Sequence, residues 1–244
     1  MKALGIDIGG SGIKAAIIDT LCGKLVSERH RLSTPVPATP KAVAAVIAQM
    51  KQHFVWKGPI GCGIPGPIKG GRIMVMTNLD SSWVGVKAHE VFAKVCGKKV
   101  AVLNDADAAG LAEMTFGAGK DKAGVVVVLT LGTGIGSAAF IDGRLLPNSE
   151  FGEIEIRGKK GELRAAARVR KEKDLSWQEW AAALNEYLQS LEQLLWPDLI
   201  IIGGGVSKRS KKFIPLLKLR ARVVPAKLQN EAGIIGAGLF ACLK

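Results

Sequence analysis

Two short stretches of this chain set a glycine-rich turn between apolar runs, and the first also carries an acid and an amine. Residues 7–19 read DIGGSGIKAAIID and residues 130–142 read TLGTGIGSAAFID. Overlaid at an offset of 123, they share Gly9/Gly132, Ala15/Ala138, Ala16/Ala139, Ile18/Ile141 and Asp19/Asp142. Each reads as strand, tight turn, strand. Glycine lets backbone N–H groups approach an anion closely, and concave arrays of such groups bind phosphates. A third glycine run, Gly203-Gly204-Gly205, follows the apolar segment LIII. Taken singly, each is an ordinary turn. Three of them, with Asp7 and Lys14 flanking the first, point to phosphoryl chemistry, with two turns gripping a phosphate chain from both sides.

The usual phosphate motifs are missing. No Gly-Lys pair is followed by Ser or Thr, so there is no P-loop. Gly9-Gly10-Ser11-Gly12 leads into a strand instead of a helix, and no acid follows Gly203–Gly205 at dinucleotide-fingerprint spacing.

The elements that must position these turns can be read coarsely. Apolar runs at 3–8, 13–18, 60–64, 100–103, 125–131, 137–141 and 199–202 predict strands. Helical signals occupy 40–54, 86–96, 106–116 and 231–243. The best-marked helix opens on a Ser176/Glu179 capping box, and Trp177, Trp180, Leu184, Leu188, Leu191 and Leu195 recur until Pro197 stops it. That periodicity assigns these aromatics to the core. Strands interleaved with helices predict an α/β fold, and the repeat predicts two related halves.

The chain has 244 residues, enough for one large domain or two small ones. No basic region precedes an apolar stretch with a cleavage site, and no run nears the roughly 20 apolar residues that span a bilayer. The four cysteines are scattered without a CxxC pair, which argues against disulfides or zinc and fits a reducing cytoplasm. The net charge is +13 and unevenly placed. Residues 157–173 hold eight basic residues against two acids, and residues 208–227 hold eight more and no acid. Alone, such runs are solvated surface, yet they would also attract a polyanion. With one Tyr and no aromatic-interleaved basic motif, nucleic acid is disfavoured.

The segments GIDIGGSGIKAAIID, STPVPATP, GIPGPI, NLDSSW, VLNDADAAGLAEMTFGAG, LTLGTGIGSAAFIDG, PNSEFGEIEIRGK, DLSWQEW, WPDLIIIGGGVSK and LQNEAGIIGAG resemble the ROK group of sugar kinases (repressors, open reading frames, kinases), most closely its polyphosphate glucokinase branch. They span nearly the whole chain. The resemblance implies the actin-like ATPase fold, with two α/β lobes and a cleft between them. The smaller lobe would take 1–104, completed by the helix at 231–244, and the larger 105–230. The cysteine cluster that binds zinc in many ROK kinases and the helix-turn-helix of ROK repressors are both absent.

The implied activity is transfer of a phosphoryl group to the C6 hydroxyl of glucose with Mg²⁺. Asp105, at the end of the strand VAVLN, is then the general base, although an acid there could equally cap the following helix. Asn104, Asn78 and the Ile64-Pro65-Gly66 loop become sugar contacts. Asp7 would hold Mg²⁺ through water. Gly9, Gly10, Ser11, Gly12 and Lys14 would bind donor phosphates, with Thr130, Gly132, Thr133 and Gly134 as the opposing clamp. Gly203, Gly204 and Gly205 match the adenosine region of ATP-using relatives. The family pattern Glu-x-Gly-His meets Glu150-Phe151-Gly152-Glu153 here, so Glu153 replaces the histidine. Glu150 keeps its place as a sugar ligand, and Glu153 and Glu155 are further candidates. Ionised, Glu153 accepts hydrogen bonds but cannot donate one, which leaves sugar affinity and identity open. The basic clusters would hold polyphosphate, with ATP a second donor. Other readings are an ATP-dependent kinase for mannose or an N-acetylhexosamine, and a non-catalytic polyanion- or sugar-binding protein. ROK relatives commonly form homodimers.

Overall fold

A computed structural model describes residues 1–243. In chain order the elements are β1 (Lys2–Ile8), β2 (Ile13–Asp19), β3 (Lys24–Leu25), β4 (His30–Leu32), α1 (Pro40–His53), β5 (Ile60–Ile64), β6 (Ile68–Lys69), β7 (Arg72–Ile73), α2 (Ala88–Cys96), β8 (Ala101–Asn104) and α3 (Asp105–Phe116). They continue as β9 (Val125–Leu131), β10 (Ile135–Ile141), β11 (Arg144–Leu146), β12 (Glu155–Ile156), β13 (Lys159–Lys160), α4 (Glu162–Ala165), α5 (Ala167–Glu172), α6 (Trp177–Leu195), β14 (Leu199–Gly203), β15 (Arg222–Pro225) and α7 (Ala232–Leu243). The chain divides into two units. One comprises Met1–Ala112 and the C-terminal stretch from Glu231; the other is Glu113–Asn230.

Each unit holds one mixed sheet, and the two sheets share a plan. The first runs β3-β2-β1-β5-β8, with β4 also on β2; the second runs β11-β10-β9-β14-β15. In both, a glycine-turned hairpin is antiparallel and two parallel strands follow on its first strand. The strands with parallel neighbours on both sides, IGCGI and LIIIG, are buried at every position, as the middle of a covered parallel sheet requires.

The hairpins correct the sequence overlay. In the first, Ile8 pairs with Ile13 across four turn residues; in the second, Leu131 pairs with Ile135 across three. Beyond the turn the equivalence therefore slips by one: Lys14 corresponds to Gly136, and Ala16, not Ala15, to Ala138. A one-residue slip reverses which side chains face the core, so the ungapped match holds through Gly9/Gly132 and fails after it.

Local chemistry accounts for the helix ends. Thr39 Oγ1 accepts from Ala42 N at 3.3 Å and Pro40 occupies the first turn of α1. The capping box of α6 forms, with Glu179 N donating to Ser176 Oγ at 3.2 Å and Ser176 N donating to Glu179 Oε2 at 2.8 Å. In the first unit Leu4, Ile6 and Ile8 pack with Val43, Ile47 and Met50 of α1 and Phe92 of α2. In the second, Val127 and Leu129 face Trp180, Leu184 and Leu188 of α6, while Val126 and Val128 join Met114 and Phe140 on the other side.

Helix α7 sits on the first sheet with backbone against backbone. A methyl group at Gly5 or Gly61 would strike the carbonyl of Ile234 or Ala237, and one at Gly236 would strike the carbonyl of Ala108 in α3. These glycines are needed for closeness of approach.

Candidate functional site

In the first unit the sheet register lines up the charged residues. Asp7 lies opposite Lys14 on β2 and Gly63 on β5, and Lys14 lies opposite Arg31 on β4. Directly opposed residues share a face, so Arg31, Lys14 and Asp7 form one row. Lys14 Nζ stands 3.5 Å from Asp7 Oδ2. The row then meets a gap, because Gly63 has no side chain. A Cβ there would lie 3.4 Å from the Asp105 Cα, so the bare position admits the start of α3.

Asp105 is the first residue of α3, but Asn104 is its cap. Asn104 Oδ1 accepts from Ala106 N at 2.8 Å and Asp107 N at 3.0 Å, and its Nδ2 donates to Gly66 O at 3.2 Å. Asn104 thus joins the Ile64-Pro65-Gly66 loop to the helix start. Asp105 Oδ1 accepts from Ala106 N at 2.8 Å. Burial, reinforced by the negative charge of Asp7, pushes the Asp105 carboxyl up to about 7. Burial also raises Asp7, against the pull of Lys14 and Arg29. The first turn of α7 closes on Asp7, since a Cβ at Gly233 would lie 3.2 Å from its carboxyl carbon.

The first glycine turn is closed by Gly9 N donating to Gly12 O at 3.1 Å. Thr34 Oγ1 donates to Gly9 O at 2.5 Å and Arg31 Nη2 to Ser11 O at 2.9 Å. A side chain at Gly12 would displace the Arg31 guanidinium, and one at Gly10 would meet Asn78 O at 2.9 Å. Asn78, exposed, therefore lies beside the turn. Arg29, Arg31 and Thr34 were not among the residues picked from the sequence. The signal for Arg29 and Arg31 was basic charge on a short segment just after the first hairpin, and Thr34 lies in the STPVPATP segment that carries the resemblance.

In the second unit two glycine turns meet. Gly132 N donates to Gly134 O at 3.0 Å. Gly203 pairs with Thr130, and Gly204, at φ +78°, packs on the Leu131 backbone where any side chain would collide. The start of α5 joins them, as Arg168 N donates to Gly132 O at 3.0 Å. Arg168, Arg170, Lys171, Arg209 and Lys212 line a cavity of about 780 Å³ beside these turns, with Trp177 in its wall. Trp180 is buried core as the periodicity predicts. Trp177, partly buried, packs on that core as predicted and also borders the cavity.

Glu150, Glu153 and Glu155 are exposed in the same unit. A side chain at Gly152 would press on Ile135 O at 2.5 Å, so this glycine seats the Glu150–Glu153 turn against the start of β10. Glu153 is ion-paired, Oε2 to Lys160 Nζ at 2.6 Å. The charge of Glu153 therefore has a partner.

Among the described residues, no group of three or more His, Cys, Asp or Glu could hold a metal, and no helix is long and apolar enough to cross a membrane. All four cysteines are free.

A family model described as "ROK family" matches residues 3–154. The chain is 49% identical over 236 residues to a polyphosphate glucokinase of Mycobacterium tuberculosis (strain CDC 1551 / Oshkosh), covering 96% of this chain and 89% of that one. It is similar in structure to an inorganic polyphosphate/ATP-glucomannokinase from Arthrobacter sp. strain KM, with a TM-score of 0.95 and 44% identity over 99% of this chain and 98% of that one. A ROK family glucokinase from Streptomyces griseus, solved with glucose and AMPPNP, shares the fold at a TM-score of 0.85 and 24% identity, each chain fully covered. Paired mixed sheets, a duplicated glycine hairpin and this span of similarity converge: the chain belongs to the ROK family and has the actin-like ATPase fold.

Proposed function

We propose that this chain transfers a phosphoryl group from inorganic polyphosphate, with ATP as a second donor, to the C6 hydroxyl of glucose. The observation that carries the reading is Asp105, a carboxyl raised to about 7 beside the row of Asp7, Lys14 and Arg31. A base poised near the working pH suits removal of a hydroxyl proton. The names borne by the similar proteins support the same donors and acceptor.

In this reading Asp105 takes the proton of the sugar hydroxyl as that oxygen bonds to phosphorus and the bond to the donor's leaving oxygen breaks. Asn104 fixes Asp105 and the Gly66 loop and hydrogen-bonds the sugar. Asn78, Glu150 and Glu155 complete the sugar contacts. The turn at Gly9, Gly10, Ser11 and Gly12 presents N–H groups to phosphate, and Lys14 and Arg31 offset the charge that spreads over the transferring group. In the second unit Thr130, Gly132, Thr133, Gly134 and Gly203–Gly205 bind the donor. Asp7 suits Mg²⁺ held through water: it is a partly buried carboxylate whose desolvation Lys14, at 3.5 Å, only partly offsets. Asp105 is the neighbouring acid, and no group of three or more His, Cys, Asp or Glu gathers there among the described residues, so most positions around the ion would fall to water and phosphate oxygens, as Mg²⁺ prefers. When bound, the ion would neutralise phosphate charge. The free cysteines suit a reducing cytoplasm.

The test is glucose 6-phosphate production with Mg²⁺, glucose and one donor at a time, nucleotide-free polyphosphate or ATP. Turnover on polyphosphate supports the reading. Turnover on ATP alone restricts it to a nucleotide-dependent kinase, and no turnover with either donor refutes it for glucose.

Glu153 favours a second acceptor, mannose, and the Arthrobacter relative's name points the same way. Glu153→His restores a donor but leaves Lys160 without its partner. The expected result is a severalfold change in the glucose-to-mannose ratio of kcat/KM with little change in KM for the phosphoryl donor. An unchanged ratio removes Glu153 from sugar selection.

A further inference from the structure

The cavity in the second unit is unusually cationic for a nucleotide seat. Its wall carries Arg168, Arg170, Lys171, Arg209 and Lys212 and no acid. Of these five, among the described residues, Arg168 alone has a carboxylate within ion-pair distance, Glu172 Oε1 at 3.6 Å. Trp177 is the aromatic ring in that wall, and its stacking position is taken. The Arg170 guanidinium lies over the ring at 4.2 Å, and Lys212 Nζ stands 5.7 Å from its centroid. Arg170 is held there by a second tie, Nη1 donating to Leu175 O at 2.8 Å, and Phe213 stacks with Trp177 at 6.1 Å. A base entering the cavity would have to displace a guanidinium from an aromatic face where it is itself well bound. A chain of phosphates meets the opposite situation, because each unit brings a negative charge to fixed cations.

We infer that this cavity seats the distal phosphates of an inorganic polyphosphate donor, those beyond the group being transferred, and that the Arg170–Trp177 stack makes it select that donor over a nucleoside triphosphate. The inference rests on the proposed phosphotransferase reading for its link to turnover. Gly132, Thr133 and Gly205 supply the geometric link, since the cavity is continuous with the turns assigned to the donor. Three of the cations come from α5, whose basic sequence lacks apolar periodicity, and two from the segment after Gly205. One pocket thereby joins the two basic clusters of the sequence.

The experiment compares the wild-type chain with Arg170→Gln and with the double variant Arg209→Gln/Lys212→Gln. Arg209 and Lys212 are exposed, so the second variant keeps the test open if Arg170→Gln folds poorly. Long-chain polyphosphate, tripolyphosphate and ATP are each measured twice: by calorimetric binding without sugar, and as KM in glucose phosphorylation. Long-chain polyphosphate should bind about tenfold more weakly to either variant. Its log-affinity slope against log salt should flatten by about 0.7 per charge removed. The KM for ATP should move less than threefold, so the donor preference shifts toward ATP. Equal losses for ATP and polyphosphate, or no loss for either, would overturn the inference. So would a single-stranded oligonucleotide competing for the cavity as well as polyphosphate of equal charge, which would mark a general polyanion surface. If polyphosphate binds and the variants weaken it but glucose is never phosphorylated, the seat stands and the kinase reading fails.

Discussion

Asp105→Asn lowers kcat for glucose phosphorylation about 10³-fold and leaves the glucose dissociation constant within a few-fold, as expected for loss of a general base. The amide keeps the shape of the carboxylate, and its Oδ1 can still accept from Ala106 N, as Asp105 does at 2.8 Å. Asn104 still caps α3 through Ala106 N and Asp107 N. What disappears is the capacity to accept a proton. Steady-state kinetics paired with calorimetric titration of glucose separates the two effects. Turnover within tenfold of wild type would remove Asp105 as the base.

The same residue sets a pH dependence. With its carboxyl raised to about 7 by burial and by Asp7, the wild-type enzyme should lose kcat/KM for glucose about tenfold per pH unit below 7 and level off above it. Asp105→Asn should lack that limb. Stability runs in the opposite sense. The folded state holds the proton more tightly than the unfolded chain, so the ionised carboxylate is a burden that appears as pH rises above 3.8 and is complete above about 7. Asp105→Asn should therefore melt a few degrees higher than wild type at pH 8 and at the same temperature near pH 4. A differential scan at both pH values reads this directly.

The second large effect concerns packing. Gly236→Ala should destabilise the protein by about 3 kcal/mol, the upper end for overpacking, which is roughly 6–12 °C of melting temperature at this size. The new methyl would be driven into the carbonyl of Ala108, and a backbone atom inside α3 cannot turn away as a side chain would. Ala108 lies one turn beyond Asp105, so kcat should fall along with stability. Gly143→Ala is the control. Its φ is +76° but nothing lies within 4 Å, so it should cost only the backbone strain of about 1–2 kcal/mol and leave kcat alone. Equal melting temperatures for the two variants would refute the contact argument.

Long strands were readable because apolar runs such as VVVVL and LIII have one stable fate in a two-sided sheet. The helices at Thr39 and Ser176 were readable because their caps are local chemistry. The slip between the hairpins was not, because turn length shows only in the pairing. Two-residue strands such as β6 and β12 leave no periodicity. The basic run of α5 reads alone as solvated charge and gains a polyphosphate role only through the family resemblance; its position beside Gly132 shows only in the fold. Candidates at Asp7, Gly10, Asn78, Asn104 and Asp105 do lie together in the first unit. Arg31 escaped notice because its importance comes from sheet register, which places it opposite Lys14. That Trp177 borders the cavity as well as the core was not legible, because helical spacing reports which face is apolar and not where that face runs out.

The closeness of α7 to the first sheet has a consequence for how the protein is made. Gly5 and Gly61 leave a groove that only α7 fills, yet the roughly 120 residues of the second unit are translated between them. At about 5–20 residues per second, that sheet waits on the order of ten seconds on the ribosome with one face uncovered. The later-made unit can finish first, because all its strands are contiguous in the chain. The earlier-made one stays dependent on a segment translated after the whole of the second unit, and through that interval its glycine-lined face is open to other chains.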